Sequence, residues 1–143
     1  RLLRKKDMKT ETYKHLIQYY ETDKMGVTHH SNYIRWMEEA RVDFLDKLGW
    51  SYVKLEENGI ISPVTNVECK YVSGTTFGET ITIETGVEEI KNVKIRICYV
   101  MKNEAGKIVC KGASEHCFLD KDSKFISLSK DYPDFYKALT DTL

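Results

Sequence analysis

The sequence predicts an α+β fold: one long amphipathic helix laid across a curved antiparallel sheet of about five strands. Two observations carry this. Between about residues 30 and 48, Ile34, Met37, Arg41, Phe44 and Leu48 step by three and four, which is the period of a helix with one buried face. Beyond Gly59 the period changes to two, and several long alternating segments follow one another with short turns between them. A single amphipathic helix covering one face of such a sheet is the economical way to bury both.

The elements follow in order. Residues 1–9 read as an N-terminal extension or cloning remnant, with Met8 a natural start, and residues 10–143 as one domain. Lys14 to Tyr20 alternates weakly and is expected to be the first strand. In the helix, Tyr33, Ala40 and Leu45 widen the apolar stripe and Trp36 adds to it, so much of the helix surface should be enclosed. Lys47-Leu48-Gly49 supplies a basic last turn and a glycine stop. Ser51 to Asn58 is a short amphipathic piece. Ile60 to Val72 is expected to be a strand, as are Thr80 to Ile90, Val93 to Lys102 and Lys107 to Leu119. Ile81, Ile83, Thr85 and Val87 should share a face, as should Ile95, Ile97, Tyr99 and Met101. Asn103-Glu104-Ala105-Gly106 signals a hairpin loop. Pro133 suits the first position of a short helix over Asp134 to Leu139. Long alternating strands that must end at an exposed edge suggest pairing with a second copy, so a homodimer or homotetramer is expected.

Composition excludes several function classes. The 143 residues hold 22 Lys+Arg and 22 Asp+Glu, and this neutrality argues against a non-specific nucleic-acid binder. No apolar run approaches the roughly 20 residues of a membrane helix, and the first residues do not form a signal peptide. Cys69, Cys98, Cys110 and Cys117 contain no C-x-x-C pair and are read as reduced thiols in a cytoplasm. Cys110, His116 and Cys117 lack a fourth ligand and a usual spacing for zinc, so neither a metal nor a cofactor is expected.

The candidate chemistry lies in residues 19–33, YYETDKMGVTHHSNY, between the first strand and the helix. Asp23 falls where side chains reach a cleft, and Gly26 allows a tight turn. The start of the helix carries unpaired N–H groups and a partial positive charge. Those groups can hold an oxyanion while a carboxylate attacks a carbonyl or takes a proton from water. The plainer alternatives remain open at this level. Asp23 also suits a turn. His29 and His30, being adjacent, should point to opposite sides of the backbone. Glu38 and Arg41 suit an ion pair along the helix. Tyr19, Tyr20 and Tyr33 suit packing.

The pattern Tyr19-x-x-Thr22-Asp23-x-x-Gly26-Val27, then His30-x-x-Tyr33-x-x-Trp36-x-Glu38-x-Ala40-Arg41, resembles the 4-hydroxybenzoyl-CoA thioesterase family of hotdog-fold proteins. It is most similar to the small bacterial acyl-CoA thioesterases associated with the Tol–Pal system. The likeness runs from about residue 13 to 120. It implies a hotdog fold whose subunits pair through their sheets, and hydrolysis of an acyl-CoA to a carboxylic acid and free CoA. It implies Asp23 as the catalytic carboxylate and the His30 backbone N–H as oxyanion donor, with Gly26 in the turn and Tyr33 shaping the site. Glu21 stands where the family often has Asp, and is read as a supporting residue. The family's frequent Tyr-x-x-Pro-Ala segment is replaced here by Tyr71 to Glu79. Lys70, Lys91, Lys94 and Arg96 are candidates for the CoA phosphates. The alternatives are an acyl-carrier-protein thioesterase and a non-catalytic acyl-CoA-binding hotdog protein. A hydratase ranks lower, because the histidine context it needs is missing around His29 and His30.

Overall fold

A computed structural model describes residues 8–143. The expected extension therefore lies mostly outside the described residues. Of its last two positions, Met8 is buried and the Lys9 N–H donates to the Thr142 carbonyl at 2.7 Å. The strands are β1 (Thr10–Leu16), β2 (Val64–Tyr71), β3 (Thr80–Lys91), β4 (Lys94–Lys102) and β5 (Ile108–Cys117). The helices are α1 (Ser31–Lys47), α2 (Tyr52–Glu57), α3 (Leu128–Asp131) and α4 (Pro133–Thr140). All pairings are antiparallel, in the order β1-β3-β4-β5-β2. The two strands that flank α1 in the sequence thus become opposite edges of the sheet, and the long helix crosses its concave face.

The period-two segments bury the faces that alternation predicts. Ile81, Ile83, Thr85 and Val87 of β3 are buried, as are Ile95, Ile97, Tyr99 and Met101 of β4. Against them α1 presents Tyr33, Trp36, Met37, Ala40, Arg41, Phe44 and Leu45. Ile34 departs from the expected stripe: it is 43% exposed, because the buried face is centred on Trp36 and Ala40 rather than on Ile34. Helix and sheet approach closely at Gly112, where a Cβ would meet Met37 Sδ at 2.7 Å and the Glu68 carbonyl at 2.9 Å. At the other end α4 closes the core through Phe135, stacked on Trp50 at 4.8 Å and edge-on to Phe118 at 5.8 Å.

Two strands differ from expectation. The first was expected over Lys14 to Tyr20 but ends at Leu16, and Tyr19–Glu21 forms a single 3-10 turn. The chain leaves the ladder after Ile17, whose N–H goes to the Glu79 carbonyl, and the Glu21 carboxylate then takes the Gln18 N–H at 2.8 Å. The segment from Ile60 to Val72 becomes a strand only at Val64. Ile61 makes an isolated bridge to Leu119, and Pro63, which has no N–H to give, separates the two.

The Glu38–Arg41 ion pair is also weaker than expected. Glu38 is 3.9 Å from the guanidinium and its side chain is 70% exposed. Arg41 is buried and binds hydroxyls instead: Nε donates to Tyr52 Oη at 2.9 Å and Nη1 to Tyr99 Oη at 3.3 Å. From Tyr99 the chain of contacts runs to Ser114 Oγ at 2.7 Å and on to His116 Nε2 at 2.8 Å. Burial first, and then the Arg41 charge, push the His116 pKa from 6.5 down to about 4. Above 6.5 the imidazole is neutral in both folded and unfolded chains and contributes no pH dependence. As pH falls from 6.5 toward 4, only the unfolded chain takes up this proton, so stability is lost. The expected loss is roughly 3 kcal/mol across that window. His116→Asn should flatten that part of the curve of urea midpoint against pH. Equal slopes in the two proteins would place the acid sensitivity elsewhere.

Candidate active site

The loop between β1 and α1 is shaped by its own backbone. Thr22 and Thr28 form an antiparallel bridge, and the Asp23 N–H donates to the Val27 carbonyl at 2.8 Å. The Gly26 N–H closes a turn on the Asp23 carbonyl at 3.0 Å, and Gly26 takes φ +79°, a conformation other residues adopt with strain. Asp23 Oδ1 accepts the Met25 N–H at 2.8 Å, so one carboxylate oxygen acts as the turn former that position alone suggests. The other, Oδ2, has no hydrogen-bond partner among the described residues. Asp23 is half-buried and lines an open cleft of about 870 Å³ with Tyr19, Tyr20, Lys24, Asn32 and Arg35 among its walls.

The start of α1 is anchored to the same loop. The Glu21 carbonyl accepts the His29 N–H at 2.8 Å and Asn32 Nδ2 at 2.9 Å. Ser31 N–H reaches His29 Nδ1 at 3.3 Å, Asn32 N–H the His29 carbonyl at 3.0 Å, and Tyr33 N–H the His30 carbonyl at 3.4 Å. One N–H of this run, that of His30, has no partner among the described residues. His29 and His30 do not point apart, as adjacency suggested. The chain has turned into the helix by His30 (φ −57°, ψ −27°), so the two rings stack at 4.3 Å.

A second hollow, of about 240 Å³, lies beside this loop and is lined by Val27, His30, Tyr33, Tyr71, Val72 and Gly74 among others. Tyr71 Oη donates to the His30 carbonyl at 3.2 Å, and its ring meets Tyr33 edge-on at 5.3 Å. Tyr33 is buried and its hydroxyl is engaged by Thr75 Oγ1 at 2.9 Å, which in turn lies 2.7 Å from Thr28 Oγ1. Burial raises the Tyr33 pKa. Tyr33 thus stays a neutral phenol that lines the hollow. In the single chain, Asp23 lines the first cleft while His30 and Tyr33 line the second, and the segment between them contributes to both.

Other expectations are revised. Tyr19 and Tyr20 do not pack in the core: they are 75% and 81% exposed at the cleft rim, with Tyr19 edge-on to Phe77 at 5.7 Å. Arg96 is committed to Glu68, Glu88 and Glu115, each at 3.0–3.1 Å, and Lys91 lies 3.4 Å from Glu89. The basic residues that do line the cleft, Lys24 and Arg35, were missed. Arg35 follows one residue after Ile34 on the exposed side of α1, and a side chain on that side carries no periodic signal. Glu21 is the other surprise. It is buried at 4% exposure, with Trp36 Nε1 donating to Oε2 at 2.7 Å. Burial opposes its ionisation, but hydrogen bonds from Gln18 N–H, His15 and Trp36 outweigh this and hold the carboxyl below the usual range.

An α1 helix embraced by an open five-stranded antiparallel sheet, with a polar loop at the helix start, defines a hotdog-fold protein. Residues 17–139 match the family profile described as the thioesterase-like superfamily, so the chain belongs to that superfamily of thioester hydrolases. YneP of Bacillus subtilis, provisionally named an acyl-CoA thioesterase, is 36% identical over 85% of this chain and 89% of its own. A 1,4-dihydroxy-2-naphthoyl-CoA hydrolase of Prochlorococcus marinus is 28% identical over 78% of this chain and 77% of its own. Among solved structures, a DHNA-CoA thioesterase from Staphylococcus aureus superposes with a TM-score of 0.88 at 35% identity, covering 92% of this chain and 89% of that one. No helix among the described residues is long and apolar enough to cross a membrane.

Proposed function

We propose that the protein is an acyl-CoA thioesterase in which Asp23 and the His30 backbone N–H perform the hydrolysis. The observation that carries this reading is the His30 N–H, unpaired among the described residues: its neighbours from His29 to Tyr33 are all satisfied, and a carboxylate with one oxygen unengaged among those residues lies seven residues before it. The main barrier to thioester hydrolysis is charge build-up on the carbonyl oxygen. A preorganised donor at a helix start offsets it, by about 3–4 kcal/mol in hydrolases where it has been removed. Asp23 supplies the nucleophilic oxygen, directly or through a water that it deprotonates. The CoA thiolate then leaves, and a thiol of pKa roughly 8.5 needs no strong acid to do so; on the direct route water then cleaves the acyl–Asp23 anhydride, which releases the carboxylic acid and restores the carboxylate.

The walls of the two hollows divide the substrate. Lys24 and Arg35 suit the CoA phosphates on the open side. The smaller hollow, with Tyr71 and His30 against it, suits a compact aromatic acyl group, and the named substrate of the DHNA-CoA relatives supports this over a long aliphatic chain. It also favours that branch over the Tol–Pal-associated one. The site is read as working in the cytoplasm within a homodimer or homotetramer. What supports the oligomer is β2, an edge strand paired on one side only, with Val64, Val67 and Tyr71 exposed. The test is a panel of acyl-CoAs and acyl-carrier-protein thioesters, with released thiol measured. Aromatic acyl-CoAs are expected to be hydrolysed fastest. Hydrolysis confined to carrier-protein thioesters would move the assignment to that class, and tight acyl-CoA binding with no thiol release would make the protein a binder.

A further inference from the structure

His15 sits at the end of β1, behind the cleft and not in it, and among the described residues its imidazole has two acceptors and no donor around it. Nε2 lies 2.8 Å from Glu21 Oε1, and Nδ1 lies 3.0 Å from Glu39 Oε1. The ring packs on Trp36 at 4.7 Å, and the His15 side chain is 11% exposed. Neither carboxyl is placed to give a proton. Glu21 already accepts from Gln18 N–H at 2.8 Å and Trp36 Nε1 at 2.7 Å. Glu39 Oε1 accepts from Tyr13 Oη at 2.8 Å, and its side chain is 39% exposed. A neutral imidazole has a lone pair on one nitrogen, and that lone pair would face a carboxylate oxygen. Only an imidazolium satisfies both contacts.

The neighbours on every side are Tyr13 on the same strand, Glu21 on the 3-10 turn, Trp36 and Glu39 on α1, and Ile81 opposite on β3. His15 therefore ties three elements together, and one of them matters to the chemistry. Glu21 holds the His29 N–H and Asn32 Nδ2 on its own carbonyl, and it stands two residues before Asp23. Whatever fixes the Glu21 side chain fixes the approach of the Asp23 turn to the start of α1.

We propose that His15 is a positioning residue: as an imidazolium clamped between Glu21 and Glu39, it sets the Asp23 turn against the α1 N-terminus that supplies the oxyanion donor. This rests on the thioesterase reading of Asp23 and His30. The clamp is an arrangement of charge as well as of shape, and the two have different signatures. A donor misplaced by an ångström costs up to about 10²-fold in rate with little effect on substrate binding. A packing defect lowers stability and leaves turnover of the folded fraction unchanged.

The first measurement is nitrogen-15 NMR of histidine-labelled protein at neutral pH, with His15 assigned by its absence from His15→Gln. Protons on both ring nitrogens are expected; a singly protonated ring overturns the proposal. The second is kinetics on an acyl-CoA that the protein hydrolyses. His15→Gln retains one donor group and no charge. It should lower kcat about 10- to 100-fold with KM little changed. Glu39→Gln removes the carboxylate that faces Nδ1, so it should remove the second ring proton and lower kcat in the same direction as His15→Gln; native kcat with a singly protonated ring would end the proposal. A loss of stability in His15→Gln with native kcat would make His15 a packing residue and end the proposal. If His15→Gln does not fold, the NMR result on the native chain and the kinetics of Glu39→Gln decide. Asp23→Asn separates the two readings. Native activity in that variant, with both ring protons present on His15, would refute the assigned chemistry and leave the charged clamp standing.

Discussion

Asp23→Asn should bring thioester hydrolysis to near its background rate, with kcat down by about 10²–10⁴-fold. Asparagine is nearly isosteric and keeps an oxygen at the Oδ1 position, so it can still accept the Met25 N–H that stabilises the turn. The backbone bonds of the turn, Asp23 N–H to Val27 and Gly26 N–H to Asp23, do not involve the side chain at all. Fold and substrate binding should therefore survive, and the loss should fall on kcat. What the substitution removes is the charge and the basic oxygen. The checking measurement is thiol release under saturating acyl-CoA, beside a binding measurement on the same variant. Native kcat in Asp23→Asn would reduce Asp23 to the turn residue that its Oδ1 contact describes, and the catalyst would have to be sought elsewhere in the cleft.

Trp36→Ala is expected to have the largest effect on stability. Trp36 is completely buried in the N-terminal half of α1, its ring tilted against His15 at 4.7 Å and Tyr33 at 4.8 Å. Truncating a buried aromatic to alanine costs about 3–5 kcal/mol through lost burial and the cavity left behind. Here a second loss adds to it, because the indole N–H is a donor to the buried Glu21 carboxylate. Trp36→Phe separates the two contributions. It keeps most of the ring and deletes the donor, leaving Glu21 Oε2 without its partner, at a cost of about 1–3 kcal/mol. Urea unfolding of both variants gives the comparison. A cost for Trp36→Phe near zero would mean that water replaces the indole at Glu21, and that the carboxylate is less enclosed than its 4% exposure indicates.

The parts of this fold that were legible in the sequence are those set by local repetition. The stripe from Met37 to Phe44, the alternation at Ile81 to Val87 and Ile95 to Met101, the Gly26 turn and Pro133 at the start of α4 all stand as the residues suggested. Where local signal was weak, the reading slipped. β1 carries one polar and one mixed face, so its boundaries could not be read from alternation, and it ends three residues before Tyr19. Ile34 has the right spacing but falls on the margin of the buried arc. The stacking of His29 on His30 depends on where the chain enters the helix, which residue type does not specify.

The site divides in the same way. Asp23, Gly26, His30 and Tyr33 are proposed through a motif of closely spaced residues. Their partners lie far along the chain: Tyr33 with Thr75, the His30 carbonyl with Tyr71, Glu21 with Trp36 and His15, Arg41 with Tyr99. By itself the sequence determined the element types, the buried faces of β3, β4 and most of α1, and the short loop in which the chemistry is sought, because each depends on residues within one or two turns of one another. Only the tertiary structure decided the strand order, the enclosure of Glu21, the hydroxyl network that occupies Tyr33 and Arg41, and the two acceptors around His15. Those depend on which surfaces meet across the core, and a one-dimensional period carries no record of the surface on the other side.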